Sequence, residues 1–290
     1  MIELHEVGRI QPVGTMIVYD ARTEMICATS ENTNSFLDDK GYGKALGQSV
    51  EKMLSGKLLH ALRNAAALPS ISKEPEPLGV FEFDCGSMDG RAHQRDHYIV
   101  VELLPSEPEP SALRLLKDVS RLGFAANYSE TPVAAFRDIA KLLRLMSGYD
   151  RVQIAKFTSD GGGQLVTDTH RTAEDRPAFP SISNTKRALN FISDTSLNPL
   201  RIMGRFEDPL DTKYCQFSYP RAKTLDRLRE SGVKAELTQP IFQDNRRWGQ
   251  VVLQSQFPRV PTTRLKYILQ SALPVLQSVV ARVEFGHNLV

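Results

Sequence analysis

The sequence predicts an α+β protein with two domains, in which short strands that pair as antiparallel hairpins alternate with amphipathic helices. Stretches that alternate apolar and polar residues, typical of half-buried strands, occur in both halves of the chain. Between the halves, residues 105–110 hold three prolines in six positions and can continue neither a helix nor a strand. A chain of 290 residues is long enough for two domains that each bury a core.

The composition is that of a soluble globular protein, with 41% hydrophobic residues, 24% charged residues and a net charge of +2. This balance gives no reason to expect nucleic acid or a membrane surface as a partner. No apolar run approaches the length of a membrane span, and the N-terminus lacks the basic start and apolar core of a signal peptide. The widely separated Cys27, Cys85 and Cys215 have no metal-site spacing, so a reducing cytoplasm is the simplest compartment.

The first half contains patterns for strands at 14–19 and 25–29, short helices at 34–37 and 58–67, and strands at 80–85 and 97–104. The last of these strands is almost continuously apolar, as expected of a strand that is covered on both faces. Residues 86–91 include two glycines and predict a turn between the last two strands.

Two helices open the second half. In the first, apolar residues recur every third position at Leu113, Leu116, Val119 and Leu122. The second begins near Thr131, an N-cap followed by proline at the first helical position, and ends at Gly148. The later patterns predict a β-hairpin at 149–168, a helix around 186–191, a helix at 221–230, strands at 235–242 and 248–253, and a long amphipathic helix at 263–285.

Three separated segments resemble the phytochrome family. Residues 149–168, YDRVQIAKFTSDGGGQLVTD, are similar to YDRVMxYRFxxDGxGxVxAE, the first hairpin of the phytochrome GAF domain. Residues 5–14, HEVGRIQPVG, resemble HxPGxIQPHG at the entry to the phytochrome PAS domain. Residues 247–261 are similar to LWGLxxCHHxxPRFVP, with Trp-Gly and Pro-Arg-Val-Pro retained. The segments follow the family's order, so the resemblance spans nearly the whole chain.

The resemblance implies a PAS domain followed by a GAF domain, each a central antiparallel sheet flanked by helices. We therefore expect a PAS domain at residues 1–107, a linker helix at 108–130 and a GAF domain at 131–290. In this family the entry segment threads through a loop of the GAF domain and makes a figure-eight knot. By resemblance Ile10 is the residue inside that loop, which is expected between residues 198 and 218.

The departures from the family fall on the bilin pocket. No cysteine precedes Ile10, although bacterial phytochromes attach biliverdin through a cysteine upstream of that position. In the segment similar to SPxHxxYLxNMGV, Lys223 and Thr224 stand at the cysteine–histidine pair of plant and cyanobacterial members, and Arg227 stands at the tyrosine. Ala155 replaces the hairpin tyrosine that faces the chromophore. The remaining degenerate pocket positions are Phe179, Ser183, Asn190, Ser218, Gln254 and Ser255.

Several of these positions have lost groups that hold the bilin in the family. Gln254 and Ser255 stand at tandem histidines, and Ser183 stands at the aspartate that contacts the pyrrole nitrogens. Asn190 and Ser218 align with two arginines that clamp the propionates. Each missing charge-assisted hydrogen bond costs about 1.5–3 kcal/mol, and the loss of the thiol removes the covalent link.

The resemblance and its departures predict a phytochrome-like sensory or regulatory module in signal transduction that has lost its bilin. No cofactor is expected, with biliverdin as the fallback. The module would act by homodimerisation through helices 111–124 and 263–285, or by contact with other proteins. A downstream signalling protein or a fused output domain would supply the output. The alternative is a ligand sensor whose GAF pocket binds another small molecule or a noncovalently held bilin, as a photoreceptor.

The sequence offers no catalytic triad, paired acids or metal set in a motif context, so no enzymatic activity and no metal are expected. His93 and His97 have the spacing of a helical zinc pair but lie between predicted strands, where a polar strand end is the favoured interpretation. Cys215 is interpreted as a buried structural thiol. Residues 161–163 are interpreted as a hairpin turn rather than a phosphate cradle, because no helix follows them.

Overall fold

The computed structural model describes residues 5–37, 45–68, 71, 75–107, 111–159, 162–171, 188–206, 209–212 and 214–285. The chain folds into two compact units. The first comprises Met1–Glu109 together with Leu197–Tyr219, and the second comprises Pro110–Ser196 together with Pro220–Val290. A segment from the second half of the sequence therefore belongs to the first unit. Among the described residues, none of the helices combines the length and the apolar character needed to cross a bilayer.

The strands, in chain order, are β1 (His5–Ile10), β2 (Thr15–Asp20), β3 (Met25–Ser30), β4 (Glu76–Phe83), β5 (Gly86–Arg95), β6 (Tyr98–Pro105), β7 (Arg151–Phe157), β8 (Gly163–His170), β9 (Asn190–Ile192), β10 (Leu200–Gly204), β11 (Ala235–Gln243) and β12 (Arg246–Ser255). The helices are α1 (Thr33–Leu37), α2 (Val50–Met53), α3 (Gly56–Ala66), α4 (Ala112–Tyr128), α5 (Pro132–Ser147), α6 (Ala222–Glu230), α7 (Thr263–Ser271) and α8 (Leu273–Phe285).

The first unit is built on an antiparallel sheet with the strand order β1-β10-β3-β2-β6-β5-β4. One face of this sheet packs against α2 and α3, because the apolar residues of α3 recur at helical spacing and meet those of the central strands. Leu58 and Leu62 of α3 lie in one buried cluster with Ile17, Val101 and Leu103. The predicted hairpin of β2 and β3 and the predicted apolar strand β6 are confirmed.

The prediction of a turn at residues 86–91 is wrong, because these residues begin the long strand β5. The turns lie on either side of this strand, and Gly86 supplies the positive φ of 114° that the first of them requires. Buried positions of β5 are occupied by polar residues, including Asp89, Arg91 and His93. The strand therefore lacks the alternation of apolar and polar residues by which strands are predicted. Burial, assisted by the charge of Arg95, lowers the pKa of His93 to about 3.

The second unit is built on an antiparallel sheet with the strand order β8-β7-β12-β11-β9. Helices α5 and α8 cover one face, where Phe136 of α5 stacks on Trp248 with ring centroids 5.6 Å apart. The predicted caps of α5 are present. The Thr131 hydroxyl accepts a hydrogen bond from the Ala134 N–H, and Gly148 ends the helix in the left-handed conformation.

Two predictions for the second unit are wrong. The helix predicted around residues 186–191 is contradicted at its described end, since Asn190 begins strand β9, whereas residues 186 and 187 lie outside the described part. The single helix predicted at 263–285 is divided into α7 and α8 at Ala272. Pro274 explains the division, because proline inside a continuous helix lacks the N–H that would bond to the preceding turn.

Candidate functional site

One face of the sheet in the second unit is polar although it is buried. Paired residues of neighbouring antiparallel strands project to the same side, and alternate residues project to opposite sides. Gln254 pairs with both Arg151 and Glu236, and Gln250 pairs with Ala155. We call this side the polar face, and its residues include Arg151, Gln153, Ala155, Asn190, Glu236, Thr238, Gln250, Val252 and Gln254.

The opposite face of the same sheet is apolar. Val152, Ile154 and Leu253 are fully buried there and alternate with the residues of the polar face. A β-bulge at Trp248 interrupts the alternation, because Ile241 pairs with Gly249 whereas Phe242 pairs with Arg247. The bulge directs the indole towards α5 and α8, where its Nε1–H donates to Glu284 Oε1 over 2.8 Å. The sheet therefore separates a helix-covered core from a polar surface.

Gln254 and Glu236 form the central contact of the polar face. The Gln254 amide donates from Nε2 to Glu236 Oε2 over 2.9 Å. Burial raises the pKa of the Glu236 carboxyl, and the hydrogen bond from Gln254 and the positive charge of Arg227 partly oppose this rise. The face thus holds a carboxyl group whose charged form is disfavoured.

A second polar contact lies towards the β7–β8 edge. Arg151 is buried and donates two parallel hydrogen bonds to Asp168, from Nε to Oδ1 over 2.9 Å and from Nη2 to Oδ2 over 2.6 Å. When the amide of Gln153 is turned to present its oxygen, that oxygen accepts from the same two nitrogens at 2.9 and 2.8 Å. Two neighbouring side chains therefore hold the guanidinium, and the pairing with Asp168 is bidentate.

Four of the residues predicted from the sequence lie in or beside the polar face. Ala155 is fully buried in β7, and Gln254 is buried in β12. Asn190 stands in β9 opposite Thr238. Arg227 lies on α6 and is close enough to Glu236 to lower the pKa of its carboxyl. Thr224 is half-buried in the first turn of the same helix.

Other predicted pocket residues are placed differently. Ser255 follows Gln254 and projects to the other side of β12, where its hydroxyl donates to Asp150 Oδ2 over 2.9 Å. Ser218 belongs to the first unit and forms a β-bridge with Ile10. Phe179 and Ser183 lie outside the described residues. Gln254 and Ser255, which stand at the family's two histidines, therefore do not share one face of the sheet, because adjacent residues of a strand project to opposite sides.

Sequence reasoning missed Glu236, Gln153 and the pairing of Arg151 with Asp168. A signal was present for the first two. Glu236 is the one charged residue of the predicted strand at 235–242, and Gln153 stands where the family's hairpin has methionine. What the sequence could not supply was the register that places Glu236 opposite Gln254.

Comparisons with known proteins agree with this architecture. A family model described as PAS fold matches residues 1–106, and a GAF domain model matches residues 131–285. The chain is 21% identical over 302 residues to a bacteriophytochrome of Pseudomonas aeruginosa, a match that covers 98% of this chain and 40% of that protein. It is 27% identical over 191 residues to phytochrome B-2 of Glycine max, covering 59% of this chain and 16% of that protein.

A solved structure shows the same fold. The chromophore-binding domain of an unusual bacteriophytochrome from R. palustris matches with a TM-score of 0.78 and 19% identity, over 97% of both chains. The PAS and GAF folds in this order define a sensory module of signal transduction. The chain belongs to the phytochrome family and corresponds to its PAS–GAF core, as its sequence segments predict. It spans two fifths or less of the length of these two relatives.

Proposed function

We propose that this sensory module has lost bilin binding and signals through protein contacts. The observation that carries the proposal is the hydrogen bond between Gln254 and Glu236 on the polar face. It places a partly buried carboxyl beside the position at which the family carries a pocket histidine. A bilin brings two propionates of its own, and Asn190, the aligned clamp position on the polar face, has no positive charge to offset them. A buried unpaired carboxylate is costly, so the pocket disfavours such a ligand.

The cysteines support the same proposal. All three belong to the first unit, with Cys85 exposed, Cys27 half-buried and Cys215 buried. Lys223 and Thr224, at the attachment pair of plant members, can form no thioether. Covalent attachment in the second unit therefore has no nucleophile of the family's kind.

The test is an absorbance spectrum of the purified protein mixed with biliverdin, recorded before and after desalting and red illumination. We expect the spectrum of free biliverdin, complete removal on desalting and no photoconversion. A red-shifted band that persists through desalting and photoconverts would contradict the loss of bilin. A bilin-binding phytochrome core prepared in parallel is the positive control, because it shows that the pigment and the illumination are competent.

A second candidate function is the sensing of another small molecule. Gln250 and Gln254 are buried on the polar face, and their Oε1 atoms have no hydrogen-bond partner within the described part of the chain. Buried amide oxygens normally accept a hydrogen bond, so these two could bind a ligand that donates. Thermal-shift screening with small neutral donors tests this function. A compound that stabilises the wild type but not the Gln250→Leu variant would favour it over the first proposal.

Helix α4 supports signalling by self-association. Leu113, Leu116, Phe124 and Tyr128 are each 61% to 80% exposed. They fall within one stripe of about 120° on a helix of 3.6 residues per turn. The opposite side of α4 carries the buried Leu122 and Ala126. The four exposed apolar residues therefore do not serve the core of this unit, and they share the stripe with Lys117, Ser120 and Asn127. We propose that a homodimer covers the exposed stripe, because monomers rarely leave such a patch in water.

The second expected dimer helix uses most of its apolar residues inside the unit. Leu269, Leu276 and Val280 are fully buried in α7 and α8, although they belong to the helix at 263–285 that was predicted to form part of the dimer interface. We therefore place the proposed interface on α4. We also propose the domain limits 1–107, 108–130 and 131–290, a cytoplasmic location, and an output that a partner or a fused domain supplies.

We further propose that the N-terminal segment forms the figure-eight knot of the family. Strand β1 pairs with β10 through Ile10 and Leu200, and Ile10 also bridges Ser218. A strand residue has two such partners only when each lies on a different edge. The Gln11 N–H donates to the Phe217 carbonyl over 2.9 Å, which extends the second edge. These contacts support a segment enclosed by residues 198–218, with the fully buried Ile10 at its centre.

A further inference from the structure

A buried group of three metal-ligand side chains lies in the first unit, whereas the polar face belongs to the second. His93 of β5, Glu102 of β6 and Cys215 of the returning segment Leu197–Tyr219 are each at most 1% exposed. Their ligand atoms all lie within 4.8 Å of one another. His93 Nε2 is 3.9 Å from Cys215 Sγ, and His93 Nδ1 is 3.7 Å from Glu102 Oε1.

The three donors match the preferences of a zinc-like cation. Zinc takes imidazole nitrogen, thiolate sulfur and carboxylate oxygen, with bond lengths of about 2.0–2.3 Å. Tetrahedral angles then place such donors about 3.3–3.6 Å apart. A given ion binds one ring nitrogen of His93, and one ligand atom from each residue lies within 4.8 Å of the others. Rotation of the buried side chains must therefore shorten these separations by up to about 1.2 Å to reach the tetrahedral range. His97, whose spacing from His93 is that of a helical zinc pair, is not part of the group and lies near Asp20, with Nε2 and Oδ2 3.8 Å apart.

The charges around the group allow a divalent cation. Cys215 as thiolate and Glu102 as carboxylate would together cancel the charge of Zn²⁺, with the thiol proton released on binding. Two arginines lie near the group. Arg91 pairs with Glu102 across β5 and β6, and its Nε is 4.0 Å from Asp89 Oδ2, which offsets its charge. Arg95 is 3.5 Å from Asp211 and stacks on the ring of Tyr214 at 3.7 Å. The Gln216 N–H already donates to Glu102 Oε2 over 2.8 Å. That bond fixes the carboxylate and leaves Oε1 on the side of His93.

We propose that His93, Glu102 and Cys215 form a binding site for a divalent transition-metal ion of the zinc class. Cys215 is far from the other two ligands in sequence but belongs to the same unit. A bound ion would therefore hold the returning segment against β5 and β6. Because that segment also pairs with β1, occupancy of the site would stabilise the packing around Ile10.

The experiment titrates the purified full chain, stripped of metal, with Co²⁺ as the spectroscopic probe. We expect one equivalent of Co²⁺ to produce a near-ultraviolet charge-transfer band between thiolate and cobalt, and Zn²⁺ to displace it. The Cys27→Ser/Cys85→Ser double variant is the matched control. It leaves Cys215 as the one thiol of the sequence and should keep the full band.

Removal of a ligand should abolish the signal. The Cys215→Ser variant should lose the band, and His93→Gln should weaken Co²⁺ binding at least about tenfold, as loss of even an outer-sphere partner does. Circular dichroism establishes that each variant is folded. If a variant fails to fold, the double variant still decides the matter. A folded double variant that shows no band at stoichiometric Co²⁺ would overturn the proposal, as would a band that survives in Cys215→Ser.

Discussion

Gln254 and Glu236 occupy directly paired positions of β12 and β11, and the amide of one donates to the carboxylate of the other over 2.9 Å. The pair joins a position of known importance in the family to an acid that the sequence did not single out. Since burial raises the pKa of Glu236, this contact couples the chemistry of the polar face to pH.

We predict that Glu236→Gln stabilises the protein increasingly as pH rises. The folded-state pKa of this carboxyl is raised above its ordinary value of 4.5, so between the two values the folded state binds more protons than the unfolded state. Wild-type stability from this group is therefore full below pH 4.5 and is lost as pH rises through the folded pKa. Urea unfolding at pH 5 and pH 8 measures the difference between variant and wild type.

The control for this prediction is Glu230→Gln, which removes an exposed carboxyl at the end of α6. It should change the free energy of unfolding by no more than about 0.5 kcal/mol at either pH. A stability advantage of Glu236→Gln that is constant or shrinks between pH 5 and pH 8 would show that burial does not raise the pKa of this carboxyl.

We predict that Ile10→Ala lowers the free energy of unfolding by about 2–5 kcal/mol. The side chain is fully buried between Leu200 and Ser218, where little space exists for the surroundings to collapse. Chemical denaturation measures the loss. The Glu6→Ala variant changes an exposed residue of the same strand and should stay within about 0.5 kcal/mol of the wild type. Equal effects of the two substitutions would contradict a tightly enclosed Ile10.

Two glycine substitutions should change stability in opposite directions. A Cβ at Gly249 would lie 2.1 Å from the Ala155 carbonyl oxygen, so Gly249→Ala must displace β7 or β12 and should cost at least about 2 kcal/mol. A Cβ at Gly123, inside α4, meets nothing within 4 Å. Gly123→Ala should therefore stabilise by about 0.5–1 kcal/mol through helix propensity. Thermal unfolding of both variants provides the measurement, and a stable Gly249→Ala would refute the close approach of the two strands.

The sequence predicts best where the determinants are local. Thr131 and Gly148 cap α5 as expected, and the Trp-Gly segment falls in β12 as the resemblance implies. Prediction fails where tertiary contacts decide. Strand β5 buries polar side chains, among them His93 beside Glu102 of β6 and Cys215, and its sequence pattern is that of a turn. Strand β10 pairs with β1 and β3, which are far from it in sequence, so the local sequence of β10 does not reveal these partners. The same holds for the candidate site. The sequence shows which pocket residues are replaced, but it does not show the register of β11 and β12 that places Glu236 opposite Gln254.

We predict that the Leu116→Glu/Phe124→Glu double variant is monomeric under conditions in which the wild type is dimeric. Both side chains lie on the exposed stripe of α4 and more than half of each is in contact with solvent, so glutamate at either position leaves the core intact. In a dimer the same positions would bury two charges per chain without partners, which strongly disfavours association. Sedimentation velocity over a concentration series measures the assembly state, and circular dichroism establishes that the fold is retained.

The matched control for the stripe is Arg114→Glu, an exposed residue of the same helix that lies about 40° outside the stripe. It changes the charge of α4 but removes no apolar surface, so the dimer should persist in this variant. A wild type that stays monomeric at the highest concentration would refute self-association on α4. A double variant that dimerises as well as the wild type would move the interface elsewhere, because the energy of association would then come from residues outside the stripe.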